Sequence, residues 1–209
     1  MTFLKGMLRV APALAVALLS ATSWAQQTDV FAINYFDNAS WESSTDGTVR
    51  ITNPGTTGAP TLADPTAGDL CAMVYVFRPD QQLAECCGCP VSPNGLVTLS
   101  VRSDLTNNPL TSDSFPSGVI KIVSSTGTVE TSDRGHSRLK CDATAPVPTP
   151  SLIAWGTHVQ DSGAVTETAF EKAPLGTDEL TTLTDKCGDI RDNGSGHGVC
   201  SCGVDGEKP

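Results

Sequence analysis

The sequence predicts a mainly β fold: an antiparallel β-sandwich of immunoglobulin-like character, with one short C-terminal helix and disulfide staples. Three observations carry this expectation. Seven short apolar or alternating runs are separated by Pro/Gly turn signals. Only one segment shows convincing helical periodicity, too little for the crossover helices of a parallel sheet. Eight cysteines, an even number, stand in a chain whose first residues read as an export signal.

The runs follow in order. Val30–Phe36 and Thr48–Thr52 come first, the second closed by the turn residues Asn53-Pro54-Gly55. Leu70–Phe77 is apolar on both faces, as a central strand covered on each side should be. Pro79 to Glu85 reads as a short helical turn with Pro at its first position. Leu96–Arg102 follows Ser92-Pro93-Asn94-Gly95 and alternates, with Val97, Leu99 and Val101 on the buried face and Thr98, Ser100 and Arg102 opposite. Val119–Val123 follows Ser117-Gly118, and the Pro-rich stretch Pro146–Pro150 reads as an extended connector. Leu152–Val159 and Val165–Phe170 flank Asp161-Ser162-Gly163, which predicts a hairpin; Trp155 shares a face with Ile153 and Val159 and is expected in the core. Near the C-terminus Thr177 is expected to cap a helix with Asp178 and Glu179 in its first turn. The stripe Leu180, Leu183, Cys187, Ile190 then places Cys187 on the buried face.

Residues 1–25 combine Lys5 and Arg9, an apolar stretch from Val10 to Leu19 and the small-x-small site Ser23-Trp24-Ala25, the pattern of a cleaved signal peptide. The stretch is too short to span a bilayer, and Cys71 lies too far along for a lipid anchor at the cleavage point. Removing 25 of 209 residues leaves 184, expected as a single disulfide-rich β domain over 26–209. All 23 acidic residues remain while two of 13 basic ones go, so the net charge moves from −10 to −12. Such a surface repels polyanions, which argues against nucleic acid and anionic membranes as partners. Thr and Ser supply 40 of those 184 residues, a composition suited to strands with long solvated loops. The expected location is extracellular or periplasmic, an oxidising compartment.

All eight cysteines, Cys71, Cys86, Cys87, Cys89, Cys141, Cys187, Cys200 and Cys202, are expected in disulfides. Near neighbours pair poorly, so the C-C-x-C and C-x-C clusters should reach outwards. The preferred sketch links Cys71 to one member of the 86–89 cluster and Cys187 to Cys200 or Cys202, with Cys141 and the leftovers tying the C-terminal tail to that cluster. A zinc alternative would draw on Cys187, His197, Cys200 and Cys202, but their spacing lacks paired C-x₂₋₄-C knuckles. No metal and no cofactor are expected.

Catalytic candidates are few. His158 lies in a strand run, and His136 in a polar loop. His197 could meet Ser195 in Gly194-Ser195-Gly196-His197-Gly198, but this is not a G-x-S-x-G nucleophile elbow, and its glycines are better explained by a chain turning back for Cys200. Asp189, Asp192 and Asn193 lack calcium-loop spacing and read as solvated groups after the helix. Trp41 is the freer aromatic for a carbohydrate, and Asn38-Ala39-Ser40 and Asn193-Gly194-Ser195 match the glycosylation pattern.

The order Val49-Arg50-Ile51-Thr52-Asn53-Pro54-Gly55, Leu70-Cys71-Ala72, Glu85-Cys86-Cys87-Gly88-Cys89, Leu105-Thr106-Asn107-Asn108-Pro109-Leu110-Thr111 and Gly198-Val199-Cys200-Ser201-Cys202-Gly203 resembles a group of uncharacterised, secreted, eight-cysteine bacterial proteins of the acidobacterial type. The resemblance spans 29–203, implies a bacterial exported framework, and carries no activity with it. The leading expectation is a non-catalytic binding or structural protein that engages another protein, a cell-envelope component or copies of itself. The alternative is a secreted hydrolase using His197 or His158 with Ser195 or a carboxylate.

Overall fold

A computed structural model describes residues 27–37, 45–160 and 162–202; the signal-peptide segment, Trp41, the Asn38 sequon and Asp161 lie outside them. Among the described residues there are twelve strands and one α-helix: β1 Gln27–Asp37, β2 Thr48–Thr52, β3 Leu70–Phe77, β4 Leu83–Val91, β5 Leu96–Ser100, β6 Ser117–Thr126, β7 Thr128–Thr131, β8 Ser137–Lys140, β9 Val147–Pro148, β10 Ile153–Val159, β11 Val165–Ala169, β12 Glu171–Leu175 and α1 Thr177–Asn193.

Two antiparallel sheets face each other. The larger has the order β12-β1-β6-β3-β4, with β9 pairing the end of β6; the smaller runs β11-β10-β2-β5; and β7-β8 forms a separate hairpin. The apolar run of β3 explains the layering. Leu70, Ala72, Val74 and Val76 pack with Val49, Ile51 and Leu99 between the sheets, while Cys71, Met73, Tyr75 and Phe77 pack on the opposite face with Leu183, Cys187 and Ile190 of α1. Every β3 residue is buried, so the central-strand expectation holds, with the helix supplying the second cover. The result is a sandwich with a third layer on the larger sheet. Among the described residues no helix is long and apolar enough to cross a membrane.

Most expected strands are present, and the corrections are instructive. Pro79 to Glu85 is not a helical turn: Gln81 takes φ 71° and the chain reverses there, with Gln81 N–H donating to Arg78 O at 3.0 Å. Residues from Leu83 onward then pair along the whole of β3, and the long-range ladder outweighs the local helix signal. The run Leu96–Arg102 stops as strand at Ser100, and Val101–Leu105 forms one π-helical turn. Thr177 is the first helical residue and not the cap; Gly176 is the cap and makes no side-chain cap bond. Helix α1 also continues through Asp189, Asp192 and Asn193, which are exposed on its last turns.

Trp155 is a correction of register. Ala154 pairs with Ile51, and both face the inter-sheet core, so Trp155 and Ile153 fall on the outward face, where Ile153 is 40% exposed. The predicted hairpin between β10 and β11 is present, with Val159 opposite Val165. The chain leaves β11 at buried Phe170 and enters β12 in the other sheet, closing one corner of the sandwich.

Candidate functional site

All eight cysteines are bonded: Cys71–Cys141, Cys86–Cys187, Cys87–Cys200 and Cys89–Cys202. The expected bond from Cys71 to the 86–89 cluster and the expected bond from Cys187 to the tail are both replaced. Alternation along β4 is the reason. Cys86 points to the helix layer, where Cys187 lies, whereas Cys87 and Cys89 point to the inter-sheet layer with Cys200 and Cys202. Cys71 is on the helix-side face of β3 and meets Cys141 there. The tail is tied to the 86–89 cluster, as the sequence suggests, by Cys200 and Cys202. Cys187, Cys200 and Cys202, three of the four groups weighed for zinc, bond to three different β4 cysteines.

The tail lies against β4 in parallel. Cys86 N–H donates to Gly198 O at 2.9 Å, and Cys86 bridges Val199. Gly198 takes φ +81°, and a Cβ there would sit 2.1 Å from Ile190 Cγ2, so the turn needs glycine for both conformation and space. Gly88 likewise lets Cys141 O pass where a Cβ would be 2.6 Å away. The glycines around His197 therefore serve the return of the chain to Cys200. His197 and Ser195 are exposed on this turn, and His136 is exposed in the β7–β8 connection.

One polar chain fastens the tail from below. Asn108 Nδ2 donates to Gly196 O at 2.8 Å, and Asn108 O accepts from Gly198 N–H at 2.7 Å. The Asn108 N–H donates to Glu85 Oε1 at 2.9 Å. Glu85 is 0% exposed, and its second oxygen has no hydrogen-bond partner among the described residues. Burial pushes its carboxyl up to about 7, against the opposing pull of the Asn108 N–H. Sequence reasoning missed this pair, although an acid set among Leu83, Ala84 and Cys86 is a visible signal of a buried carboxyl.

His158 is the second polar centre. It is 1% exposed, stacks on Tyr35 with ring centroids 4.0 Å apart, and places Nε2 2.7 Å from Thr168 Oγ1. Asn34 Nδ2 donates to the same Thr168 oxygen at 3.0 Å. Desolvation lowers the His158 pKa from its usual value, with the Asp37 charge acting in the other direction. Thr168 is an exposed residue of β11, and its hydroxyl lies between the Asn34 amide and the buried imidazole. The structure brings His158 to Thr168 and not to Ser195, a pairing that only the β10–β11 register and the corner with β1 produce.

Beyond these centres, the outward face of the smaller sheet carries Leu96 at 62%, Val165 at 49% and Ile153 at 40% exposure around half-buried Trp155. Leu96 and Ile153 flank Thr52 in one cross-strand row. The Arg50 guanidinium pairs with Glu167 on the same face. Comparison with protein-family models, curated proteins and solved structures returns no match.

Proposed function

We propose that this chain is a secreted, extracellular or periplasmic, non-catalytic binding or structural protein whose partner is a protein, a cell-envelope component or a second copy of itself. The observation that carries this reading is the outward face of the smaller sheet, where Leu96, Ile153 and Val165 remain exposed on a regular four-stranded surface. The cysteines tie the helix and the tail to β4, and His158 stacks across the sandwich on Tyr35 of the larger sheet. The acidity of the chain favours neutral or basic partners over polyanions. The test is a double substitution, Leu96→Asp with Ile153→Asp, compared with wild type by light scattering and by binding to envelope fractions. Loss of assembly or binding with an unchanged circular dichroism spectrum supports the proposal; equal behaviour of the two proteins overturns this face as the contact.

A second reading, a hydrolase, is favoured by one geometry: the hydroxyl of Thr168, an exposed residue, 2.7 Å from His158 Nε2, the arrangement of a nucleophile beside its base. Labelling by a fluorophosphonate that is lost in Thr168→Val supports it. No label on wild-type protein removes it.

A further inference from the structure

We propose that the two facing C-x-C segments, Cys87/Cys89 on β4 and Cys200/Cys202 on the tail, form a tetrathiolate site for a soft tetrahedral divalent cation such as zinc when their disulfides are reduced. The proposal is independent of the binding role above. Cys87 Sγ lies 4.0 Å from Cys89 Sγ, and the sulfurs of Cys87, Cys89 and Cys202 all lie within 4.8 Å of one another. Zinc–sulfur bonds of about 2.3 Å place the ligands of a tetrahedron roughly 3.8 Å apart. The sulfurs of Cys87, Cys89 and Cys202 are thus close to ligand spacing already, while Cys200, held next to Cys87 by its disulfide, lies outside that group and must swing in as the fourth ligand when its bond opens.

The backbone holds this constellation without the sulfur bonds. Cys86 N–H to Gly198 O at 2.9 Å, Ser201 N–H to Asp104 O at 2.9 Å and Ser201 Oγ to Asp104 Oδ1 at 2.7 Å pin the residues on either side of Cys200. The ligand set is also segregated. Cys86 and Cys187 lie on the other face of the larger sheet with Cys71 and Cys141, so they do not compete for the same ion. Cys87, Cys89 and Cys200 are buried, whereas Cys202 is partly exposed and gives an external thiol its point of attack.

The chemistry balances with a dithiol reductant. Each disulfide accepts two electrons and two protons, yielding two thiols while the dithiol closes to a cyclic disulfide. The cation then displaces four thiol protons, leaving a dianionic four-sulfur site that holds the tail to β4 in place of the covalent bonds.

The experiment uses cobalt(II) as an optical probe, then zinc, on two preparations: the full chain refolded from the reduced state without oxygen, and the native protein opened by graded dithiol reduction. One tetrahedral cobalt–thiolate absorption per chain is expected, with zinc displacing it and shielding Cys87, Cys89, Cys200 and Cys202 from alkylation while Cys71, Cys86, Cys141 and Cys187 react. The absorption should vanish in Cys89→Ser/Cys202→Ser and persist in Cys71→Ser/Cys141→Ser. Absence of the absorption in both preparations, its survival in the first variant, or protection spread evenly over all eight cysteines overturns the proposal.

Discussion

Glu85→Gln separates the cost of a buried charge from the hydrogen bond that the side chain makes. The carboxyl sits with one oxygen on the Asn108 N–H and the other unpartnered, and burial raises it from 4.5 to about 7. Between those two values the folded chain keeps a proton that the unfolded chain has released. Stability therefore falls as pH rises through that window, and the loss is complete above the folded value. The rise from the ordinary value to about 7 amounts to about 3–4 kcal/mol, with no exposed surface to screen it. Glutamine keeps an oxygen for Asn108 and cannot ionise. Guanidinium unfolding at pH 4, 6 and 8 should show wild type and variant close together in acid, with the variant gaining about 3 kcal/mol by pH 8. A stability difference that does not change with pH would refute the reasoning.

Three further outcomes follow from the same geometry. His158 has a lowered pKa, so the folded state resists its protonation and stability should fall as pH drops below the usual 6.5; His158→Gln should remove that acid sensitivity in paired unfolding curves. Disulfide losses should be unequal. Cys71–Cys141 closes a separation of 70 residues, and its removal by paired serines should cost about 4 kcal/mol on the chain-entropy model, whereas Cys89–Cys202 closes only a small ring once Cys87–Cys200 exists and should cost about 2 kcal/mol. Equal shifts in denaturation midpoint would contradict this. Asn108→Ala removes the side-chain donor to Gly196 and should cost about 1–2 kcal/mol, seen locally as faster hydrogen exchange at Gly198 and Cys200.

The strands legible in the sequence are those whose pattern is local. Thr48–Thr52 and Leu70–Phe77 have the bounds read from periodicity, because a strand buried on one or both faces writes that burial into its own residues. Strand β4 was not legible, since Leu83-Ala84-Glu85-Cys86-Cys87-Gly88-Cys89 has neither clean alternation nor a turn signal of its own and becomes a strand by pairing with β3. Strands β7, β8 and β12 carry mostly exposed side chains, so burial left little pattern to read. Trp155 shows the limit of reading a face from one strand: a parity judged from Ile153 and Val159 points inward, while Leu152 and Ala154, opposite the core of β2, point it out.

The composition, the eight cysteines and the helix stripe were determined by the sequence alone, because counting and local periodicity need no partner. Which cysteine meets which was decided only in three dimensions. The pleat of β4 sends Cys86 to one side of the larger sheet and Cys87 and Cys89 to the other, and the tail and helix arrive on opposite sides to meet them. The pairing of His158 with Thr168 and of Glu85 with Asn108 has the same origin. Each joins residues that no local pattern relates, brought together by sheet register and by the loops that register positions.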